Sequence, residues 1–332
     1  MRILFIGGTG IISSSCSAEI VRRGHELFHL NRGSHPELAP SDVITLKADI
    51  RNPKQVSRVV TGHYFDCVVN WVAFEPEHIR QDLELFWPLT RHYIFISSAS
   101  VYIKPPPDWI ITEETATGNP YWPYAQKKLA CERLLLDRHR EEGFPATIVR
   151  PSHTYNNGWV PTPIGSRDFT VAQRILEGRQ IISPGDGQSL WTITHSDDFA
   201  VGFAGLLGDP DSAGEIFHIT SDEARTWDSF YMILGEALGA EPKIVHIPSE
   251  VVYRISPSLG RGLLGDKGWS MVFDNSKIST FVPGFNTRIT FAEGIRRSLN
   301  WLNEDPDRKV VDPKRDAEID TVVKVWKEKF EA

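Results

Sequence analysis

The sequence predicts an α/β protein: a Rossmann-type doubly wound parallel sheet followed by a smaller C-terminal α/β substrate domain. Three observations lead there. Short apolar runs alternate with helix-like segments through the first half of the chain. The runs are apolar on both faces, as strands sandwiched between two helical layers must be. A glycine-rich turn, GGTG, directly follows the first run, where such folds receive a pyrophosphate.

Taken in order, ILFI is a strand and residues 11 to 23 a helix; ELFHL, VITLKAD, CVVNWVA and YIFISSAS supply four more strands. A helix then opens at Pro123, whose ring presets φ and whose missing N–H has no partner in a first turn. It continues through Cys131 and Leu136, and ATIVRP follows as a strand. From about Asn156 the rhythm loosens. NNGWVPTPIG and SPGDGQ are turn-rich, and helices around 168 to 178 and 228 to 238 alternate with isolated short strands, EIFHI and KIVHI. Thr290 and Glu293 form a T-x-x-E capping signal before FAEGIRRSLNWL, which marks a final helix. The expected division is a dinucleotide-binding domain over 1–155, with about 188–208 returning to it, and a mainly substrate-binding domain over 156–332.

A chain of 332 residues with 41% hydrophobic content can fill a sizeable core. Thirty-six Lys and Arg against 43 Asp and Glu give a net charge of −7, so there is no general basic footprint for nucleic acid. Cys16, Cys67 and Cys131 have no metal-ligand spacing and read as buried small hydrophobes of a reduced compartment; no metal site is expected. The chain enters a strand at once and carries no apolar run long enough to cross a bilayer, so a cytoplasmic protein away from membranes is expected.

Two stretches carry chemistry. In ILFIGGTGIIS, Gly7 and Gly10 let the backbone turn tightly, and the helix opening at Ile11 and Ile12 aims N–H groups at an anion; Ser13 replaces the third glycine of the usual G-x-x-G-x-x-G spacing. At the end of the second strand Asn31 stands where an acidic residue commonly meets the ribose. With Arg32 beside it the site leans toward NADP without excluding NAD, although Arg32 also reads as a plain solvated loop arginine. Asp49 and Ile50, closing KADI, are placed for the adenine edge. In PYWPYAQKKLA, Tyr124 and Lys128 are four apart and share a helix face. An ammonium beside a phenol favours the phenolate and makes a base usable at neutral pH. Lys128 can also hold a ribose hydroxyl, and Ser98, ending the strand YIFISS, can donate to the substrate oxygen.

GGTGIIS, SSASVY and YAQKK resemble the extended and atypical short-chain dehydrogenase/reductases, the NAD(P)-dependent epimerase/dehydratase group; RPSHTY, GDGQSLWTITHSDD and FAEGIRRSLNWL stand in that group's order. The resemblance implies Tyr124 as general acid/base, Lys128 as its electrostatic partner and ribose anchor, and Ser98 as the orienting hydroxyl, with Lys127 on the surface. It implies close packing of Trp71, Val72 and Ala73 on the cofactor, and places Pro151, Ser152 and His153 beside nicotinamide and substrate. His153 reads either as a proton relay or as a structural histidine hydrogen-bonded across the domain seam. Ser196 and Asp197 read as a helix cap. On the substrate side stand Ser98, Ser100, Trp122, His153 and Trp191; Tyr155 and Trp159 are further aromatic candidates for a sugar-sized pocket or for interface packing.

The chain departs from the group at informative places. Dehydrating members carry an Asp-Glu pair after the active-site hydroxyl; Ala99 and Ser100 stand here, which argues against that dehydration. Nucleotide-sugar members bring two arginines to a diphosphate; Trp191 and Leu263 occupy those positions, so a substrate without a diphosphate is expected unless Arg261 or Arg167 substitutes. The expected function is an NAD(P)-dependent oxidoreductase or epimerase working on a secondary alcohol or ketone of a sugar-like substrate. A homodimer is compatible with the sequence. The alternatives are an RNA-binding protein like the chloroplast stem-loop binders, against which the charge of −7 speaks, and a non-catalytic dinucleotide sensor, against which the intact Ser98, Tyr124 and Lys128 speak.

Overall fold

A computed structural model describes residues 1–165 and 167–330. The first half follows the predicted order: β1 (Arg2–Ile6), α1 (Ile11–Arg22), β2 (Glu26–Asn31), β3 (Ile44–Lys47), α2 (Pro53–Val60), β4 (Cys67–Asn70), α3 (Pro76–Phe86), β5 (Tyr93–Ile96), a short β6 (Ile110–Ile111), α4 (Pro123–Glu142) and β7 (Ala146–Pro151). Next come β8 (His153–Tyr155), α5 (Thr170–Leu176), β9 (Gln180–Pro184), β10 (Leu190–His195), α6 (Ser196–Leu206) and β11 (Ile216–Ile219). Seven strands form one parallel sheet in the order β3-β2-β1-β4-β5-β7-β11. The chain leaves β1 toward β2 and later returns on its other side as β4. That reversal opens a crevice at the carboxyl ends of β1 and β4, where folds of this kind bind ligands.

Each face of the sheet is covered by apolar helix stripes. Cys16 and Ile20 of α1 pack with Phe199 and Phe203 of α6 on one side; Val56 of α2, Ile79 and Phe86 of α3, and Cys131 and Leu135 of α4 pack on the other. Burying such a side chain contributes ~1.5–3 kcal/mol, which is why the strands between them read as continuous apolar runs. The three cysteines are buried and unbridged.

EIFHI was expected as an isolated strand of the second part; instead β11 pairs with β7, Ile216 opposite Ile148, and closes the edge of the main sheet. Phe217 and Ile219 enter the core on the α6 side, while buried His218 is held by Tyr102 and the Asp274 carbonyl. A strand this short carries no signal for which sheet it joins.

The remaining elements are β12 (Ala224–Thr226), α7 (Trp227–Leu238), β13 (Lys243–Ile247), α8 (Ser249–Ile255), α9 (Pro257–Gly262), β14 (Val272–Phe273), α10 (Ser276–Phe281), α11 (Phe291–Asn303) and α12 (Pro313–Phe330). They build a second core around Trp191, Trp227, Ile181, Val245, Phe291 and Ile295. Thr290 caps α11, its hydroxyl accepting from the Glu293 N–H at 3.3 Å, and the Glu293 carboxylate turns to Arg297. This helix was expected to be the last, but α12 follows it, burying Ile319 and Val322 and tied to α5 by Arg174 bridging Asp316 and Asp320. No helix among the described residues is long and apolar enough to cross a membrane.

Candidate active site

After β1 the chain turns through Gly7 at φ +107 and Gly8 at φ +106, a region that side-chain-bearing residues rarely enter. Space is as restrictive as torsion. A Cβ on Gly7 would sit 3.3 Å from Trp71 and Val72, and one on Gly8 would fall 2.5 Å from His29 Nε2. His29 lies fully buried beneath the loop, its Nε2 sharing a hydrogen bond of 2.8 Å with Ser17 Oγ, which also donates to Gly8 O. Burial pushes the His29 pKa down to about 4 and keeps the ring neutral at physiological pH. Ser13, in place of the third glycine, is buried and accepts the Gly10 N–H at 2.8 Å, so the substitution folds back onto the turn.

A cavity of about 670 Å³ opens over this turn. Gly7, Gly10, Ile11, Ile12, Trp71 and Val72 line one side; Ser98, Ser100, Trp122, Tyr124, Lys128, Pro151, Ser152 and His153 line the other. An adjoining cavity of about 410 Å³ shares Gly7 and Val72 and is lined by Asn31, Arg32, Asp49 and Ile50 together with Ser34, His35 and Arg51. Most of the predicted residues therefore converge on one continuous groove.

Two of them do not reach it. Ala73 is fully buried and outside both cavities; only its carbonyl takes part, as an acceptor for Lys128. Trp191, expected against the substrate, is 1% exposed, packed on Trp227 with ring centres 5.5 Å apart, and donates its indole N–H to Trp269 O at 2.8 Å. Its size and its satisfied N–H make it a core residue behind the site. Tyr155 is likewise buried, against His195, whereas Trp122 and Trp159 line the cavity. Of the two substitute arginines, Arg167 lines the cavity and exposed Arg261 does not. The helix expected to be capped by Ser196 and Asp197 is capped by His195, whose ring accepts the Asp197 N–H, while Ser196 Oγ bonds to Ser15 Oγ at 2.7 Å.

Pro123 stands in the first turn of α4, and Tyr124 and Lys128 project from one face as predicted. Lys128 is 1% exposed and donates to Ala73 O and Ile96 O, both at 2.7 Å, with the rings of Phe74 and Phe95 each 4.7 Å away. Burial lowers its pKa to about 7. Tyr124 was expected to have a lowered pKa. Burial raises it instead, the Ser98 hydroxyl pulls it down, and the Asp266 charge raises it further. Lys128 exerts little pull because its ammonium is turned to the two carbonyls, 5.8 Å from the phenol ring. Ser98 caps the turn Ala99–Val101, accepting from Ser100 N at 3.2 Å, and its Oγ lies 2.9 Å from Ser100 Oγ.

His153 is 7% exposed, and neither ring nitrogen has a hydrogen-bond partner among the described residues, so the seam-bridging structural histidine is not what forms. Ser97 Oγ and Ser152 Oγ are also buried without partners among the described residues and line the same cavity. Unsatisfied polar atoms of this kind are uncommon unless something else meets them. Together with the glycine cradle, they suit a dinucleotide laid across the β1–β4 crevice.

Sequence reasoning passed over several residues of the site. Phe74 lines both cavities and packs on Lys128 and Tyr124; its position directly after NWVA was the available signal. Ser97 lines the cavity directly before Ser98. Arg51 follows KADI and donates to the Val72 carbonyl. Asp266 and Lys267 line the cavity three and four residues after Leu263, in RGLLGDK.

Residues 3–220 match the model of the NAD dependent epimerase/dehydratase family. The chain belongs to this family. It is a family of NAD-dependent enzymes of the short-chain dehydrogenase/reductase type. Among curated relatives, the chloroplast stem-loop binding protein of 41 kDa b from Arabidopsis thaliana is 29% identical over 74% of this chain, which spans 65% of that protein's length. A UDP-N-acetyl-alpha-D-glucosaminuronate decarboxylase from Bacillus cytotoxicus is 24% identical over 91% of this chain and 98% of its own. Two solved structures share the fold: an epimerase from Methanothermobacter thermautotrophicus (TM-score 0.75, 18% identity, 92% of this chain and 93% of that one) and the UDP-glucuronic acid 4-epimerase of Bacillus cereus (TM-score 0.72, 20% identity, 92% and 99%).

Proposed function

We propose that the protein is an NAD(P)-dependent oxidoreductase or epimerase acting on a secondary alcohol or ketone of a sugar-like substrate. The observation that carries this reading is the convergence of Ser98, Tyr124 and Lys128 on the wall of the cavity whose floor is the glycine turn. When bound, the dinucleotide supplies the hydride acceptor or donor. Ser98, whose hydroxyl draws the Tyr124 pKa down, orients the substrate oxygen; Tyr124 takes that oxygen's proton as the phenolate and returns it as the phenol. An ammonium has three donors; Lys128 spends two on Ala73 O and Ile96 O, which leaves one for a ribose hydroxyl. Trp122 and Phe74 flank the phenol and limit water. NADP is favoured because Arg32 and Arg51 line the adenosine-side cavity and no acidic residue replaces Asn31 to repel a 2′-phosphate.

The test is direct. Protein mixed with NADP or NAD and a panel of sugars and polyols is followed at 340 nm, and any copurifying dinucleotide is identified by mass. Absence of dinucleotide binding would reject the reading. The likeness to a stem-loop binding protein supports a second one, RNA binding, which predicts affinity for a stem-loop RNA that falls steeply with salt.

A further inference from the structure

The outer wall of the cavity holds charges that the reading above does not use. Lys267 closes the π-helical turn Leu263–Lys267; its ammonium lies 3.8 Å from the Asp266 carboxylate and 5.9 Å from the centre of the Trp122 ring, with 16% of the side chain exposed. Asp266 also faces Lys104 at 3.9 Å, a lysine whose side chain is fully buried and whose nearest polar contact is Met271 Sδ at 3.3 Å. Two ammonium groups thus share one carboxylate, and neither reaches it at hydrogen-bonding distance. Burial disfavours the charge on Lys104, which Asp266 partly offsets, while Lys267 brings to the cavity wall an ammonium that is not hydrogen-bonded to Asp266.

On the same cavity stands His153, nine-tenths buried, with both nitrogens unpartnered among the described residues. Burial, and next the charge of Lys267, hold it neutral, so it offers one donor and one acceptor. Behind this wall the space is filled. Trp227 donates to Lys267 O and Trp191 to Trp269 O, both at 2.8 Å, so the two packed indoles, tilted at 31°, pin the backbone that carries the lysine. Trp191 and Leu263, at the two positions where charged forks would grip a diphosphate, are buried in that core. Exposed Arg167 adds positive potential at the mouth, where solvent screens it.

Resting on the oxidoreductase or epimerase reading, we propose that the substrate is a free sugar acid, a polyhydroxylated monocarboxylate, whose carboxylate is held by Lys267 and whose hydroxyls meet His153. A single lysine ammonium on the wall matches a carboxylate better than a phosphate dianion or a diphosphate.

The experiment titrates the protein, with saturating NADP, against D-glucuronate, D-galacturonate, D-gluconate, D-glucose, glucose 6-phosphate and UDP-glucose, reading tryptophan fluorescence from Trp122 and Trp159. At least one sugar acid should bind about tenfold or more tighter than glucose and more tightly than either phosphate compound. Lys267→Met should bring that affinity down to the level of glucose and Lys267→Arg should restore most of it, with melting temperature and NADP affinity unchanged in both. Tighter binding of glucose 6-phosphate or UDP-glucose, undiminished sugar-acid binding in Lys267→Met, or no sugar-acid response at all would each overturn the proposal. Affinity for NADP and for NAD is measured separately: absence of both removes the oxidoreductase reading, whereas dinucleotide binding without a sugar-acid response removes only the substrate assignment.

Discussion

The two ends of the groove are built in opposite ways. At the proposed cofactor end the lining comes from single βα turns: Gly7, Gly8 and Gly10 after β1, Asn31 and Arg32 where β2 ends, Asp49 and Ile50 after β3. At the substrate end the wall is assembled from side chains far apart in the chain, Trp122, His153, Trp159, Asp266 and Lys267, held by hydrogen bonds between segments such as Asn119 to Ser100 O and Gly265 O. A cofactor common to many enzymes is met by geometry that a short motif encodes. A particular substrate is met by packing that no motif records.

The largest effect should come where the two ends join. Tyr124→Phe is expected to cut turnover by roughly a hundredfold or more with dinucleotide affinity nearly unchanged, as for a lost acid/base; retention of full turnover would break the assignment of chemistry to the junction. Next, Gly8→Ala should weaken dinucleotide binding by about tenfold or more, since the added methyl meets His29 and the torsion is strained. Adding His29→Ala should recover part of the loss, and no recovery would show that torsion alone controls the turn. Arg32→Ala should raise the Kd for NADP several-fold while changing that for NAD little; equal changes would remove the NADP preference.

The smallest effect concerns what supports the cofactor end from below. Asp82 is buried, bonded by Tyr93 OH at 2.5 Å and by Asn70, whose Oδ1 in turn accepts the Val72 N–H of the cavity wall at 2.7 Å. Burial raises the Asp82 pKa to about 7, against about 3.9 in an unfolded chain, so the native state binds the extra proton between those values. Its contribution is complete below pH ~4 and is lost as pH rises toward ~7, with a slope of at most ~1.4 kcal/mol per pH unit. His29 and His92, pushed down to about 4 by burial, act in the opposite sense, so the measurement is the difference between wild type and Asp82→Asn in denaturant midpoints across that range. A difference that does not change with pH would mean that Asp82 is charged in the fold.

The doubly wound sheet was legible because its strands are apolar on both faces and its turns carry glycine at fixed places. β11 was not assigned to it, since the pairing of a four-residue strand depends on a partner distant in sequence. At the site, Tyr124 and Lys128 were legible from helical periodicity and Pro123. The direction of the Tyr124 pKa was not, because it depends on where the Lys128 ammonium turns, and the carbonyls of Ala73 and Ile96 claim it.

By itself the amino-acid sequence determined the sheet, the glycine turn after β1 and the placing of a phenol and an amine on one helix face. These follow from steric and periodic rules that act within a few residues. Only the tertiary structure decided that Trp191 lies behind the site, that His153 lines the cavity with no hydrogen-bond partner among the described residues, and that Lys267 and Asp266 form its outer wall. Burial and electrostatic environment belong to the assembled chain, and neighbouring residues alone do not specify them.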